Sequence, residues 1–406
     1  MKTSKISFCA IVKNEEKLLP QCLNSVRNLV QEMVVLDTGS TDNTVAVAQE
    51  LGAKVEHFTW NNNFSDARNY GLQFVTGEWV LVLDADETLT PEIVPQIHKA
   101  VENKNHLVVN LIRQEIGAAQ SPYSLVSRLF RNHSAIKFSR PYHTLIDDTV
   151  DQLRAKEPFW KIVSLKPVGI LHYGYQPEAI AALDKYNRAR KAMETYLAQH
   201  PQDAYVCSKL GALYIQIGET ELGQELLERG LQGEDVDAPI LFELHYHLGN
   251  LYTQLCDPYQ AAVHYQNAIE QEILPQLKLG AYNNLGSLLQ TVGELTQAQK
   301  AYETAIQVAP EFPLSYYNLA MNYKELGQFH QAVIAYQQAI NINPNYAEAH
   351  QNLGVVYWKL GKVPESIAAF EEAIALHETN NPEEAQKLRE GLKKMGIRIN
   401  NYSSLS

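Results

Sequence analysis

The chain has 406 residues, 45% of them hydrophobic and 20% charged, with 34 Lys+Arg against 46 Asp+Glu and a formal net charge of −12. This is a globular mixture with apolar material for two or three cores, which excludes a disordered or collagen-like chain. The acidic balance excludes broad, charge-driven binding to nucleic acid or anionic membrane, yet leaves room for one local basic site. The first apolar run, residues 6–12, has strand length and stops at Lys13-Asn14-Glu15-Glu16. It is too short for a signal-peptide core, and no run approaches the length of a membrane span. Further strands are predicted at residues 33–36, 54–58 and 79–83, with helices at 18–29, 44–51, 65–74 and 91–101 between them. Such alternation predicts an α/β domain with a mostly parallel sheet and helices on both faces. Residues 106–172 are richer in strand-like runs, at 107–112, 125–130 and 162–168, and a helix at about 177–199 joins this half to the next. Cys9, Cys22, Cys207 and Cys256 form no CxxC pair. The expectation is therefore no disulfide framework, no zinc site and a cytoplasmic protein.

The second half repeats itself. Leu285-Gly286, Leu319-Ala320 and Leu353-Gly354 lie 34 residues apart, as do Gly293, Gly327 and Gly361. Ala298, Ala332 and Ser366 follow in the same register, then Tyr302, Tyr336 and Phe370, with Pro310 and Pro344 closing two units. This is the tetratricopeptide (TPR) period. A small residue lets the two helices of a unit approach, the aromatic fills the remaining hole, and proline stops the second helix. Looser copies carry Leu248-Gly249 with Tyr265, and Leu210-Gly211 with Leu226. The predicted organisation is an α/β domain over 1–180, a linker helix over 181–202, about five repeats over 203–380, and a capping helix and tail over 381–406. Stacked repeats form an all-α solenoid with a concave face. His245 and His247 lie in a repeat helix and are read as packing or surface residues.

In an open parallel sheet, ligands bind beyond the carboxyl ends of the strands. Those ends carry Val12-Lys13-Asn14-Glu15, then Asp37-Thr38-Gly39-Ser40-Thr41-Asp42, then Asp84-Ala85-Asp86-Glu87. Neither GxGxxG after the first strand nor GxxxxGK[ST] is present, which argues against a dinucleotide or P-loop site. Asp84 and Asp86, one residue apart in a turn, suit Mn²⁺ or Mg²⁺, which prefer oxygen ligands and diphosphates. Asp37 stands where it would accept hydrogen bonds from a base or ribose, whereas Ser40 and Asp42 are turn and cap material. Arg68 lies in a helical segment.

Together, residues 6–15, 35–42, 64–69 and 83–87 resemble glycosyltransferase family 2, which has the GT-A fold. The whole arrangement resembles bacterial family 2 transferases with a repeat tail. The resemblance implies a nucleotide-sugar donor, a UDP-sugar, and transfer with inversion. It places Val12, Asn14, Asp37 and Arg68 around the nucleotide and diphosphate, and makes Asp84 and Asp86 a metal-binding pair. His172, in His172-Tyr173-Gly174-Tyr175, is implied to contact the metal or the diphosphate. Relatives usually carry His-Glu where this chain has His143-Thr144. Inversion requires a base, so Asp147 or Asp148 near His143 must substitute, or the enzyme is impaired. The acceptor is expected to be a protein or peptide on the solenoid's concave face. The alternative is a TPR scaffold whose first domain binds a nucleotide-sugar with little catalysis. Charge divides unevenly: residues 1–180 hold 18 basic and 20 acidic residues (−2), and residues 181–406 hold 16 and 26 (−10). The acidity therefore belongs to the repeats, not to the domain that must attract a diphosphate.

Overall fold

The computed structural model describes residues 5–118, 120–174, 183–394 and 396–397; Tyr175 and the part of the joining helix expected before Leu183 lie outside them. The chain forms two compact units, Met1–Val236 and Asp237–Ser406.

The first unit opens with β1 (Ile6–Val12), α1 (Leu19–Val26), β2 (Glu32–Asp37), α2 (Thr44–Glu50), β3 (Lys54–His57), α3 (Phe64–Gly71) and β4 (Trp79–Val82). After these come β5 (Glu87–Leu89), α4 (Val94–Val101), β6 (His106–Glu115), β7 (Tyr123–Arg131), α5 (Asp147–Lys156) and β8 (Lys161–His172). Among the described residues, three more helices belong to this unit: α6 (Leu183–Gln199), α7 (Ala204–Gln216) and α8 (Thr220–Leu231). The eight strands lie in the order β3-β2-β1-β4-β7-β6-β8-β5. Strand β1 is central because it is apolar on both faces: Ile6, Phe8, Ala10 and Val12 enter one buried cluster and Cys9 the other. Such a strand needs cover on both sides. Helix α1 supplies part of it, burying Leu19, Cys22, Leu23 and Val26 at helical spacing.

Strands β1 to β4 pair in parallel, as the alternation predicts. The other half is mixed: β7 runs antiparallel to β4 and β6, β8 parallel to β6, and β5 antiparallel to β8. No helix separates β6 from β7, and a short connection joins antiparallel neighbours only. Two elements were not anticipated. Strand β5 is three residues long, too short to show a period. Helix α5 buries only Val150 and Leu153, so its sequence reads as a polar loop.

The second unit contains four helix pairs: α9 (Ala238–Gln254) with α10 (Pro258–Glu270), α11 (Leu279–Thr291) with α12 (Leu295–Val308), α13 (Pro313–Glu325) with α14 (Phe329–Ile342), and α15 (Ala347–Lys359) with α16 (Val363–Asn380). Helix α17 (Pro382–Lys394) follows. With α7 and α8 there are five pairs among the described residues, and the first belongs to the first unit. The small-against-large rule is visible in the packing. A Cβ on Gly249 would lie 2.6 Å from Tyr265, one on Gly286 2.5 Å from Tyr302, and one on Gly354 2.8 Å from Phe370. Each aromatic fills the space that its glycine leaves, and all three rings are buried. Among the described residues, no helix is long and apolar enough to cross a membrane.

Candidate active site

Strands β2, β1 and β4 are neighbours, so their carboxyl ends open at one edge. Asp37 is the last residue of β2 and is buried. Its carboxylate accepts from the backbone N–H of Gly39 and Ser40, each at 3.1 Å, and lies 3.3 Å from His57 Nδ1. Burial raises its pKa, but these hydrogen bonds outweigh burial and leave it below the usual carboxylate value. The turn after β1 braces the same loop. Asn14 adopts φ of +56°, a left-handed conformation that asparagine tolerates. Its N–H donates to Ser40 Oγ (2.9 Å), and its Oδ1 accepts from Thr41 N (2.7 Å). The Val12 carbonyl accepts from Thr38 N and Oγ1, both at 3.0 Å. Asp42 caps locally, accepting from Thr44 N at 3.0 Å.

Beside this loop runs a chain of alternating charges. On α3, whose Asn63 cap accepts from Ser65 and Asp66 N–H, Arg68 donates through Nη2 to Asp84 Oδ1 at 2.6 Å. Arg128 on β7 donates to the other oxygen, Asp84 Oδ2, at 2.7 Å and reaches Glu87 at 3.5 Å. Arg113 on β6 bridges Glu87 (3.0 Å) and Glu115 (2.8 Å). Glu115 holds His172 Nδ1, and His172 Nε2 lies 3.2 Å from Asp86 Oδ2. Strand register explains these meetings. His172 is the Cα partner of Glu115 on β6 and of Glu87 on β5. Burial raises the Asp84 pKa, but Arg128 and Arg68 overcome it and hold the carboxylate well below its usual range. Burial lowers the Arg68 pKa, and the pull of Asp84 does not fully restore it. Two Arg68 nitrogens, Nε and Nη1, are buried with no hydrogen-bond partner.

Asp84 and Asp86, expected to share one cation, thus face different partners. Asp84 spends both oxygens on guanidinium groups, while Asp86 faces His172. A carboxylate such as Glu115 that holds one nitrogen of a histidine orients the other nitrogen, as such carboxylates do for metal-binding histidines. The pair offers one oxygen and one nitrogen donor; divalent cations that carry diphosphates often take few protein ligands. These residues fit a cation held with a substrate's help, and Asp84 as it stands does not join them. Among the described residues, no group of three or more ligating side chains occurs. Burial would lower the His172 pKa, but hydrogen bonds to Asp86 and Glu115 push it up to about 9. Gly174 makes room for the pair: a Cβ there would lie 2.6 Å from His172 Nε2 and 3.0 Å from Asp86 Oδ2.

The other candidates lie apart from this network. Asp147 begins α5, accepts from Ser127 Oγ (3.2 Å) and buries its Oδ2 without a partner. Asp148 pairs with Arg140 at 2.7 Å. His143 packs its ring against Tyr142. Neither aspartate bonds to a member of the Arg68–His172 chain. Burial raises the Asp147 pKa, so its proton stabilises the fold below the unfolded carboxyl pKa, and that contribution is lost as pH rises through the folded value. Asp147→Asn is therefore expected to raise the melting temperature at pH 7 and to give no gain near pH 3, as read by calorimetry at both pH values. Sequence reading did not select Arg113, Glu115 or Glu87 as site residues. The available signal was two opposite charges, Arg113 and Glu115, two apart and in step with the apolar Leu107, Val109 and Leu111 of the same strand.

The family model described as Glycosyl transferase family 2 matches residues 7–163, and tetratricopeptide repeat models match 279–312, 321–361 and 347–380. Over 307 residues the chain is 42% identical to a TPR repeat-containing protein of Synechococcus elongatus, covering 76% of each. Over 208 residues it is 30% identical to the SPbeta prophage-derived glycosyltransferase SunS of Bacillus subtilis, covering 50% of this chain and 47% of that one. The crystal structure of MamA superposes on 44% of this chain and 93% of its own, with 22% identity and a TM-score of 0.39. The family 2 match over residues 7–163 and the repeats in register give the assignment: the chain carries a family 2 glycosyltransferase domain followed by a tetratricopeptide-repeat region.

Proposed function

We propose that the enzyme transfers a sugar from a UDP-sugar, with inversion, to a protein or peptide acceptor presented by the repeats. The observation that carries the donor site is Arg68. A buried guanidinium with two unpaired nitrogens costs free energy unless an acceptor arrives. It stands beside Asp84, just past β4 and on the same sheet edge as Asp37, and a nucleoside diphosphate supplies acceptors of the required charge. Asp37 and the Asn14-braced loop take the base and ribose. A Mn²⁺ or Mg²⁺ ion held by Asp86 and His172 would offset charge on the departing diphosphate. The acceptor hydroxyl attacks the anomeric carbon, the bond to the diphosphate oxygen breaks, and the hydroxyl proton passes to a base. Asp147 and Asp148 are not proposed for that role, since Ser127 and Arg140 already engage them.

The second unit supports a peptide acceptor. A cleft of about 400 Å³ is lined by Ser287, Gln290, Tyr317, Asn318, Met321 and Glu325. These hydroxyl and amide groups match the donors and acceptors of an extended backbone. The donor assignment is tested by calorimetric titration of the full chain with UDP, with and without Mn²⁺. Arg68→Met is expected to weaken binding by roughly tenfold to a hundredfold, the worth of a charged hydrogen bond. Wild-type affinity in that variant would remove Arg68 from the site.

A further inference from the structure

The segment between β7 and α5 follows one face of α3. Phe138 N donates to Asn69 Oδ1 at 2.8 Å, and Asn69 Nδ2 donates back to the Phe138 carbonyl at 2.9 Å. Ser65 Oγ donates to the Arg140 carbonyl, and Phe64 N donates to that of Pro141 at 3.0 Å. The Phe64 and Tyr142 rings meet edge-on at 5.6 Å, and the Arg68 guanidinium lies 5.3 Å over the Phe138 ring. The α3 residues touched are therefore 64, 65, 68 and 69, the face that also carries Arg68.

The other side of the segment grips the helices that follow the sheet. Arg140 donates to Asp203 Oδ2 through Nε (3.0 Å) and Nη2 (2.9 Å), and through Nη1 to Asp148 (2.7 Å). Its guanidinium lies 5.2 Å over the Tyr205 ring. Asp203 in turn caps α7, accepting from Val206 N at 2.9 Å. Tyr142 packs on the buried cluster of α6 and α7 that includes Ala189, Met193, Val206 and Leu210. Arg140 and His143 have φ of +70° and +50°. Side chains other than glycine seldom adopt such values, and they persist where surroundings over-determine them.

We infer that residues 138–142 are a strut coupling the donor site to the first helix pair of the repeats, with Arg140 as a positioning residue for donor binding. The inference rests on the donor reading above. Arg140 carries a charge with only 9% of its side chain exposed, and it stays satisfied only while Asp203 and Asp148 remain in place. If α7 shifts, the charge is stranded, the strut moves, and α3 carries Arg68 away from Asp84. Coupling of this kind is reciprocal, so donor binding would tighten the seating of α7.

Asp203→Asn in the full chain tests the strut. Asparagine keeps the helix cap but removes the charge that Arg140 needs. Asp257→Asn is the matched control: Asp257 caps α10 in the same way, accepting from Gln260 N at 3.1 Å, with no ion-pair partner among the described residues. Asp203→Asn is expected to speed amide hydrogen exchange in α3 and to weaken UDP binding about fivefold, the lower end of measured couplings. The loss should appear in the donor KM, with kcat little changed. Arg140→Lys, which keeps the charge but loses the fork, should act in the same direction with smaller size. Asp257→Asn should do neither. Unchanged exchange in α3 in both strut variants overturns the inference, and so does faster exchange with unchanged UDP affinity. If wild type fails to bind UDP, the donor reading fails, and α3 exchange alone decides whether the strut exists.

Discussion

Asp86→Ala is expected to lower sugar transfer by about 10²–10³-fold, the usual cost of removing one group that stabilises transition-state charge. The reasoning is specific to its surroundings. Asp86 follows β4 by a few residues and is 27% exposed, and its carboxylate has His172 as partner at 3.2 Å. Among the described residues no arginine forms an ion pair with it, so the variant should fold as wild type does. A loss confined to kcat would mark an interaction made in the transition state, whereas a rise in KM alone would mark uniform donor binding. The stabilisation of the protein by Mn²⁺ in a thermal-shift experiment should vanish as well. Turnover within tenfold of wild type, or an undiminished Mn²⁺ shift, would remove Asp86 and the cation from the reaction.

One residue further on, the expected result is of another kind. Glu87→Ala should destabilise the first unit by about 3–5 kcal/mol, the cost of breaking a buried ion pair by removing one partner. Glu87 is fully buried and accepts from Arg113 (3.0 Å), from Arg128 (3.5 Å) and from the Asp84 backbone N–H (2.9 Å). Removing it takes one carboxylate partner from each of two buried guanidinium groups, leaving Arg128 to Asp84 and Arg113 to Glu115, and loosens the turn that presents Asp84. At roughly 2–4 °C per kcal/mol for a unit of this size, the melting temperature should fall by roughly 10 °C. Scanning calorimetry of Asp86→Ala and Glu87→Ala side by side separates the two roles. A loss below about 1 kcal/mol for Glu87→Ala would mean that the arginines find other partners, and that the charge chain is a surface feature.

Much of the fold was legible in the chain. Residues 6–12 form β1 with the expected limits, because an apolar run ended by Lys13-Asn14-Glu15-Glu16 has one cheap conformation in a sheet core. The repeats were legible because each unit restates the same contact. Gly286 against Tyr302 and Gly354 against Phe370 are written 16 residues apart in both units. The positions of Asp37, Asp84 and Asp86 at or just past strand ends were legible, because a strand end is readable from periodicity.

Tertiary structure decided which charges meet. Arg113, Glu115 and Arg128 lie far along the chain from Asp84, and only the order β4-β7-β6-β8-β5 sets them beside it. Their partners are not marked locally, since a charge within a strand looks the same whether it faces water or a buried partner. The same long-range pairing assigned both oxygens of Asp84 to arginines, left Asp86 to His172, and drew Asp147 and Asp148 away to Ser127 and Arg140. Sequence by itself determined the elements, the repeat register and the strand ends where chemistry would gather, because these follow from periodicity over a few residues. Which side chains share a charge, and which partner each carboxylate takes, depended on strand order and register, which are set by burial across the whole sheet.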